Sequence, residues 1–168
     1  MINIDNLKGE YRDPRLDSAV TIALRHIGIA VYSSGKIYDY LIRKGFESDI
    51  AHTAVQELIE RNYIDDMRAG RKVLLSRTGR KQESRSLLYK RLLQAGINEE
   101  QANELIHQTR DDKTTCLELV KSTVPVIPDD VLQDNADFFV QDLLKLCARR
   151  GYSLDISRES IRQYINEN

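Results

Sequence analysis

Tryptophan is absent from this chain of 168 residues, and phenylalanine occurs only three times. Leucine, isoleucine and tyrosine must therefore supply most of any core. Apolar residues make up 41% of the sequence and charged residues 30%. This balance is typical of a water-soluble protein with a thin core, and the length allows either one domain or a short array of small units.

Cysteine is nearly absent too, since only Cys116 and Cys147 occur, each inside an apolar helical stripe. A disulfide framework or a thiolate metal site would need more cysteines at tighter spacing. No apolar run approaches the roughly 20 residues that cross a bilayer. The first residues, MINIDNLKGEYRDP, are polar and acidic, unlike a secretory signal. We therefore expect a reduced, cytoplasmic protein without a membrane segment.

The usual motifs of catalysis are missing as well. His26, His52 and His107 are scattered, and none has a second ligand at metal-binding spacing. Neither GxxxxGK[ST] nor GxGxxG occurs, and no serine has a nucleophile-elbow setting. The acid pairs Asp65-Asp66 and Asp111-Asp112 are better explained as helix caps than as a carboxylate metal site. The sequence predicts no enzyme, no metal and no cofactor.

One feature is present three times: a helical run that ends on glycine, followed by an apolar residue and a polar pair. It reads LIRKGFESDI, LLQAGINEEQ and CARRGYSLDI at residues 41–50, 92–101 and 147–156. Glycine adopts the left-handed conformation that commonly ends a helix. At such a helix end, the residue that follows the glycine packs on the residue four positions before the glycine. The predicted pairs are Phe46 on Leu41, Ile97 on Leu92 and Tyr152 on Cys147. The predicted N-caps of the helices that follow are Ser48, Asn98 and Ser153.

The corner glycines lie 51 and 55 residues apart, which indicates an internal repeat of two helices and a short third one. The paired acids are predicted to open the third helix. Apolar spacing predicts nine helices, near residues 16–31, 35–44, 48–61, 66–77, 80–95, 99–109, 112–122, 130–149 and 154–166. We expect an all-α fold of tandem three-helix repeats stacked into an elongated, curved rod. The predicted divisions are 1–78 for the N-terminal tail plus the first repeat, 79–124 for the second repeat, and 125–168 for a linker and the third.

Charge is distributed unevenly along the chain. From Arg68 to Arg91 there are nine basic residues and one acid, a local charge of +8, whereas Asn98 to Asp142 holds eleven acids and three bases. Arg68, Arg71 and Lys72 share a helical face, and Arg77, Lys81 and Arg85 follow at spacings of four. Such a surface suits an anionic partner, either phosphates or carboxylates. The plain alternative is a solvated pair of helices.

The segments LIRKGF at 41–46, YIDDMRA at 63–69, LLQAGI at 92–97 and CARRGY at 147–152 resemble the RecX family, bacterial regulators of the RecA recombinase. The resemblance covers about residues 16–165. It implies tandem three-helix units without catalysis. It further implies binding in the groove of the RecA–single-stranded DNA filament, damped ATP hydrolysis and strand exchange, and a role in the SOS response.

The resemblance also implies a binding face, which we extend with the rest of the basic stretch: Arg68, Arg71, Lys72, Arg77, Lys81, Arg85, Arg149 and Arg150. For Arg149 and Arg150 an alternative is that bases in the last turn of a helix favour its dipole. Our leading hypothesis is a monomeric, non-enzymatic regulator of RecA, most simply an inhibitor, with the RecA filament as partner and DNA as a possible second one. The alternatives are a helical module that binds DNA directly and a protein-interaction scaffold without nucleic acid.

Overall fold

The computed structural model describes residues 13–127 and 136–167. All regular structure within these ranges is helical, which confirms the predicted all-α class. The α-helices are α1 Pro14–Ile27, α2 Ser34–Arg43, α3 Ser48–Glu60, α4 Asp66–Leu75, α5 Arg85–Gln94, α6 Glu99–His107, α7 Asp112–Thr123, α8 Ala136–Arg149 and α9 Leu154–Asn166, with a 3₁₀ turn at Gly79–Lys81. No helix among them is both long enough and apolar enough to cross a membrane.

The chain divides into two compact units, with the boundary between Ala69 and Gly70. In the first unit, α1 packs against α3 and α2, and α2 packs against α3. Their shared core is aliphatic and includes several alanines. It consists of Ala19, Val20, Ala23, Ile27, Ile37, Leu41, Ile50, Ala51, Ala54, Val55, Leu58 and Ile64.

In the second unit, α5 packs against α6, and α7 packs against the 3₁₀ turn, α8 and α9. The core around α7 buries Cys116, Leu119, Val120, Ile127, Leu143, Cys147, Tyr152, Ile161 and Tyr164. The two thiols meet there, with their Sγ atoms 3.6 Å apart. The finer division into three repeats, with boundaries at 78/79 and 124/125, stays a prediction.

All three glycine corners have the predicted geometry. Gly45, Gly96 and Gly151 have φ angles of 89°, 79° and 85°. The amide after each glycine donates to the carbonyl five residues earlier, at 3.2 Å for Phe46, 3.1 Å for Ile97 and 3.1 Å for Tyr152. These bonds satisfy carbonyls that the end of a helix leaves open.

The helices after these corners begin three residues beyond the glycine, so the cap residue lies two residues beyond it. Asn98 and Ser153 accept hydrogen bonds from amides three residues later, as predicted. The prediction of Ser48 as a cap is wrong. Glu47 occupies the cap position, without a side-chain capping bond, and Ser48 is the first residue of α3. The Ser48 hydroxyl instead lies 2.9 Å from the Tyr38 hydroxyl.

The first acid of each Asp-Asp pair caps the helix that it opens, as predicted. Asp65 accepts from the Arg68 amide at 2.8 Å. Asp111 accepts from the Thr114 amide at 2.9 Å, and this hydrogen bond lowers the pKa of the Asp111 carboxyl. The pairs therefore act in helix capping.

The second acid of each pair reaches the start of a different helix. Asp66 accepts from both the amide and the hydroxyl of Ser34, the first residue of α2, at 2.6 Å each. Asp112 accepts from the amide of Arg85, the first residue of α5, at 2.7 Å. Each Asp-Asp pair thus stabilises two helix N-termini, one near in sequence and one distant.

Two predicted helix limits are wrong, and each lies beside a glycine with a positive φ angle. Helix α1 ends at Ile27 rather than 31, because Gly28 has φ 48° and its amide bonds the Leu24 carbonyl at 3.1 Å. The helix predicted from residue 80 begins at Arg85. Gly79, with φ 58°, opens a 3₁₀ turn, and Ser84 caps the helix that follows. The start predicted at 130 for α8 lies outside the described residues.

Candidate partner-binding surface

Helix α4 has one face towards the protein and one towards solvent. At Gly70, a Cβ atom would overlap Leu105 Cδ1 and lie 3.3 Å from Leu92 Cδ2, so this glycine lets α4 approach α5 and α6 closely. The outward stripe follows the spacing i, i+3, i+4, i+7 and consists of Arg68, Arg71, Lys72 and Leu75.

The three cations of this stripe are exposed. Within the described part of the chain, the side chains of Arg68, Arg71 and Lys72 form no hydrogen bond and no ion pair. No acidic side chain among the described residues therefore neutralises their charge. Leu75 is 74% exposed at the C-terminal end of the same stripe. The three cations were predicted from helical spacing, whereas Leu75 was not predicted as part of the site, although it lies at i+7 from Arg68.

The rest of the predicted basic row is not a continuous helical row. Helix α4 ends at Leu75, Lys81 lies in the 3₁₀ turn, and Arg85 is the first residue of α5. The predicted pairs Arg77–Lys81 and Lys81–Arg85 are therefore not on one helix. The row was predicted to run across the turn at Gly79 because the next helix was expected to begin at residue 80 rather than at Arg85.

Arg77 contributes to a buried ion cluster. The Glu83 side chain is only 2% exposed, and Arg91 donates to its two carboxylate oxygens at 3.1 and 3.2 Å. The Nη1 atom of Arg77 lies 3.9 Å from the same carboxylate. The carboxylate raises the pKa of Arg91 through this hydrogen bonding. A buried carboxylate needs such partners, because an uncompensated charge is costly in the interior.

Arg85 holds the segment that joins α6 to α7. Its Nε donates to the Thr109 hydroxyl at 3.3 Å and to the Arg110 carbonyl at 3.1 Å, and its Nη2 donates to the Thr109 carbonyl. These acceptors are neutral, so the guanidinium keeps its positive charge while it stabilises the loop.

Arg150 ties the end of α8 to the segment before α5. Its Nη2 donates to the Arg80 carbonyl at 2.8 Å, and its own carbonyl accepts from the Ser84 amide at 2.9 Å. Arg149 next to it is exposed, as is Lys81, and in the described ranges neither side chain has a polar partner. Of the eight predicted residues, Arg77, Arg85 and Arg150 thus have internal structural contacts, and the other five face solvent.

Two adjoining clefts lie beside α4 in the second unit. One has a volume of about 230 Å³ and the other about 240 Å³, and both are lined by Leu74, Leu75, Gln108 and Thr109. The described residues contain no group of three or more His, Cys, Asp or Glu side chains able to hold a metal ion. The side chains that line the two clefts beside α4 are chiefly apolar or cationic.

Known proteins with similar sequences share one name. Regulatory protein RecX of Streptococcus uberis is 24% identical over 138 residues, which is 80% of this chain and 51% of that protein. Regulatory protein RecX of Treponema pallidum is 27% identical over 110 residues, 64% of this chain and 67% of that protein. The chain thus spans about half the length of the Streptococcus relative. No family model matches it.

The comparison of folds also leads to a RecX protein. The crystal structure of RecX from Lactobacillus salivarius matches with a TM-score of 0.73, covering 89% of this chain and 96% of that one at 13% sequence identity. The resemblance to the RecX family is confirmed. RecX has an all-α repeat fold, and in this chain the recurring feature is the glycine corner at Gly45, Gly96 and Gly151.

Proposed function

We propose that the chain is a non-enzymatic regulator of RecA. In this proposal it binds in the groove of the RecA–single-stranded DNA filament, slows ATP hydrolysis and strand exchange, and thereby affects the SOS response. The observation that carries the proposal is the similarity to regulatory RecX proteins along 80% of the chain, together with the shared fold. The proposal includes a monomer that acts in the cytoplasm and without a catalytic step.

The outward stripe of α4 supports a role in binding. Arg68, Arg71 and Lys72 present three positive charges that no acidic side chain in the described ranges neutralises. Guanidinium and ammonium groups in such a row pair with carboxylates or phosphates of a partner. We infer that this stripe is the main contact. Lys81 and Arg149 are additional exposed candidates, while Arg77, Arg85 and Arg150 would act chiefly by holding the fold.

The test is the DNA-dependent ATPase of RecA, measured with co-sedimentation of filaments. The wild-type chain should slow ATP hydrolysis at substoichiometric to equal amounts and sediment with filaments. The triple charge reversal Arg68→Glu, Arg71→Glu and Lys72→Glu should weaken both effects at least about tenfold. A matched control reverses three exposed cations elsewhere, Lys90, Arg158 and Arg162, and should behave like wild type. Equal loss in both variants would contradict the assignment of the surface, and no effect of wild type on RecA would reject the function.

The same three cations also favour a second candidate, direct binding to DNA. If each of the three cations contacted one phosphate, affinity for duplex DNA without RecA should fall by roughly 40-fold between about 50 and 200 mM salt. Titration of a labelled oligonucleotide across that range distinguishes the two functions. A flat salt response, or no binding, leaves the filament as the partner.

A further inference from the structure

The two clefts beside α4 share four lining residues, among them an exposed leucine, and are treated together as one surface. We call this surface the leucine groove and define it by Leu74, Leu75, Leu88, Leu105, Arg71, Arg77, Arg85 and Arg110, all of which lie in the second unit. Leu74 and Leu75 line both clefts, and the cleft of about 230 Å³ continues to Leu88, while that of about 240 Å³ continues to Leu105. Leu75 stands 74% exposed between them.

The size of each cleft limits what it can hold. Sites for cofactors and drug-sized ligands usually measure about 300–1,000 Å³. Volumes of about 230 and 240 Å³ are smaller and suit one or two apolar side chains of a partner. Anchoring side chains in such small desolvated pockets commonly carry most of the free energy of a protein interface.

The charges around the groove favour an acidic partner. Arg71, Arg77, Arg85 and Arg110 line it, whereas its acids are Glu83 and Asp112. Both acids already accept hydrogen bonds within the protein, Glu83 from the Arg91 side chain and Asp112 from the Arg85 amide. Arg110 pairs with Glu118, but Arg71 has no internal partner in the described part of the chain. The rim therefore has a surplus of positive charge.

Among the described residues, two buried polar atoms beside the groove have no hydrogen-bond partner. They are Nε of Arg77 and Oε1 of Gln82, whose residue is only 5% exposed. An unsatisfied buried polar group costs about 1–3 kcal/mol. A peptide group, which carries both a donor and an acceptor, matches the two atoms.

We propose that the leucine groove binds a short protein segment in which an apolar side chain is flanked by acidic ones. The apolar side chain packs on Leu74, Leu75 and Leu88, and the acids pair with Arg71, which lines the groove and has no internal partner in the described part of the chain. A nucleic acid fits less well, because an exposed leucine and an apolar floor offer nothing to phosphates. The inference deepens the proposed function by naming the chemistry of the partner at that site, and it rests on that function only for the identity of the partner.

The test uses the full chain labelled with ¹³C at leucine methyl groups and three blocked peptides. The probe is acetyl-Asp-Glu-Leu-Glu-Asp-amide, and the controls replace its leucine by serine or its acids by asparagine and glutamine. The probe should shift the methyl signals of Leu74, Leu75 and Leu88, and each control should bind at least about tenfold more weakly. A single-stranded oligonucleotide is titrated in parallel.

Two variants locate the binding. Leu75→Asp changes an exposed residue, so the fold should persist, and it should weaken probe binding at least about tenfold. Leu154→Asp makes the same change at a leucine that is 52% exposed on α9 and should leave binding unchanged. Absence of probe shifts, equal binding of the serine control, equal loss in both variants, or methyl shifts by the oligonucleotide alone would each overturn the proposal.

These outcomes are independent of RecA. If wild type fails to sediment with filaments while the probe shifts the groove methyl signals, the proposed function fails and the binding groove stands. If filaments bind and the probe does not, the groove is rejected and the function stands.

Discussion

At the scale of single residues, one glycine decides how close α4 comes to its neighbours. Glycine inside a helix usually costs about 1 kcal/mol relative to alanine, so Gly70→Ala would ordinarily stabilise the protein. Here a Cβ atom would overlap the buried Leu105 side chain. Overpacking of this kind costs about 1–3 kcal/mol. Set against the propensity gain of about 1 kcal/mol, this cost should leave Gly70→Ala with a free energy of unfolding lowered by up to about 2 kcal/mol in a urea titration.

A second substitution tests the cause of that loss. Leu105→Val removes the overlapping methyl group and alone should cost about 1 kcal/mol, by analogy with other deletions of a buried methyl group. In the double variant the two changes should be less than additive, since the shortened side chain makes room for the Cβ atom that Gly70→Ala adds. Stabilisation by Gly70→Ala alone would show that the overlap is relieved without cost.

The residues of the candidate site were only partly predictable. Arg68, Arg71 and Lys72 follow from helical spacing, because one continuous helix carries all three. The internal contacts of Arg77, Arg85 and Arg150 were not predictable, because their acceptors are a buried carboxylate and backbone carbonyls distant in sequence. The charge of a side chain can be read from the sequence, but the group with which that side chain pairs depends on the tertiary structure.

At the scale of elements, two corners offer a matched comparison. Gly45 and Gly151 have nearly equal φ angles of 89° and 85°. A Cβ atom at Gly45 meets nothing within 4 Å, whereas at Gly151 it lies 2.6 Å from Ser84 Oγ and 3.1 Å from Leu87 Cβ. Gly45→Ala should therefore cost only the backbone strain, about 1–2 kcal/mol.

Gly151→Ala should cost more than Gly45→Ala by about 1–3 kcal/mol, because α5 would have to move away from the corner. Thermal and urea unfolding of both variants measure the difference. Equal losses would mean that the contact between this corner and α5 is loose.

The second acids of the Asp-Asp pairs provide another prediction about elements. Asp66→Ala removes two hydrogen bonds to Ser34 and leaves the start of α2 without them. Hydrogen bonds to a charged group contribute about 1.5–3 kcal/mol, so we expect a loss of about 2–3 kcal/mol. Asp39→Ala, at an exposed position on α2, is the matched control and should change stability by less than about 0.5 kcal/mol. Amide hydrogen exchange at the start of α2 should accelerate only in the Asp66 variant.

Sequence patterns predicted the helices better than the contacts between helices. The apolar stripes and the glycine corners are local, so the helices α1 to α9 of the described ranges and all three corner bonds were predictable. The bonds from Asp66 to Ser34 and from Asp112 to Arg85 were not, since each joins helix starts far apart along the chain. The Ser48 error was local as well, because serine is the better capping residue but stands one position too late.

At the scale of the whole molecule, the two thiols report on how the second unit opens. Cys116 and Cys147 are fully buried, and the hydrogen bond between them together with burial raises the pKa of the Cys147 thiol. A thiol reagent attacks an accessible thiolate. We therefore expect both cysteines to react together, at least about 10³-fold more slowly than in denaturant, because reaction must await opening of the core.

A third cysteine supplies the control. Ser86→Cys places a thiol at an exposed position of α5 and should react at the rate of a free thiol under native conditions. Fast native reaction at Cys116 or Cys147 would contradict the packing of α7 against α8.

The internal contacts of Arg77, Arg85 and Arg150 have a practical consequence for mutagenesis. An alanine scan through the basic stretch will mix two kinds of defect. Substitutions on the outward stripe of α4 should reduce binding at an unchanged melting temperature, whereas Arg85→Ala should lower the melting temperature first and reduce binding as a result. Ranking the arginines by activity alone would therefore mistake a support of the scaffold for a contact with the partner.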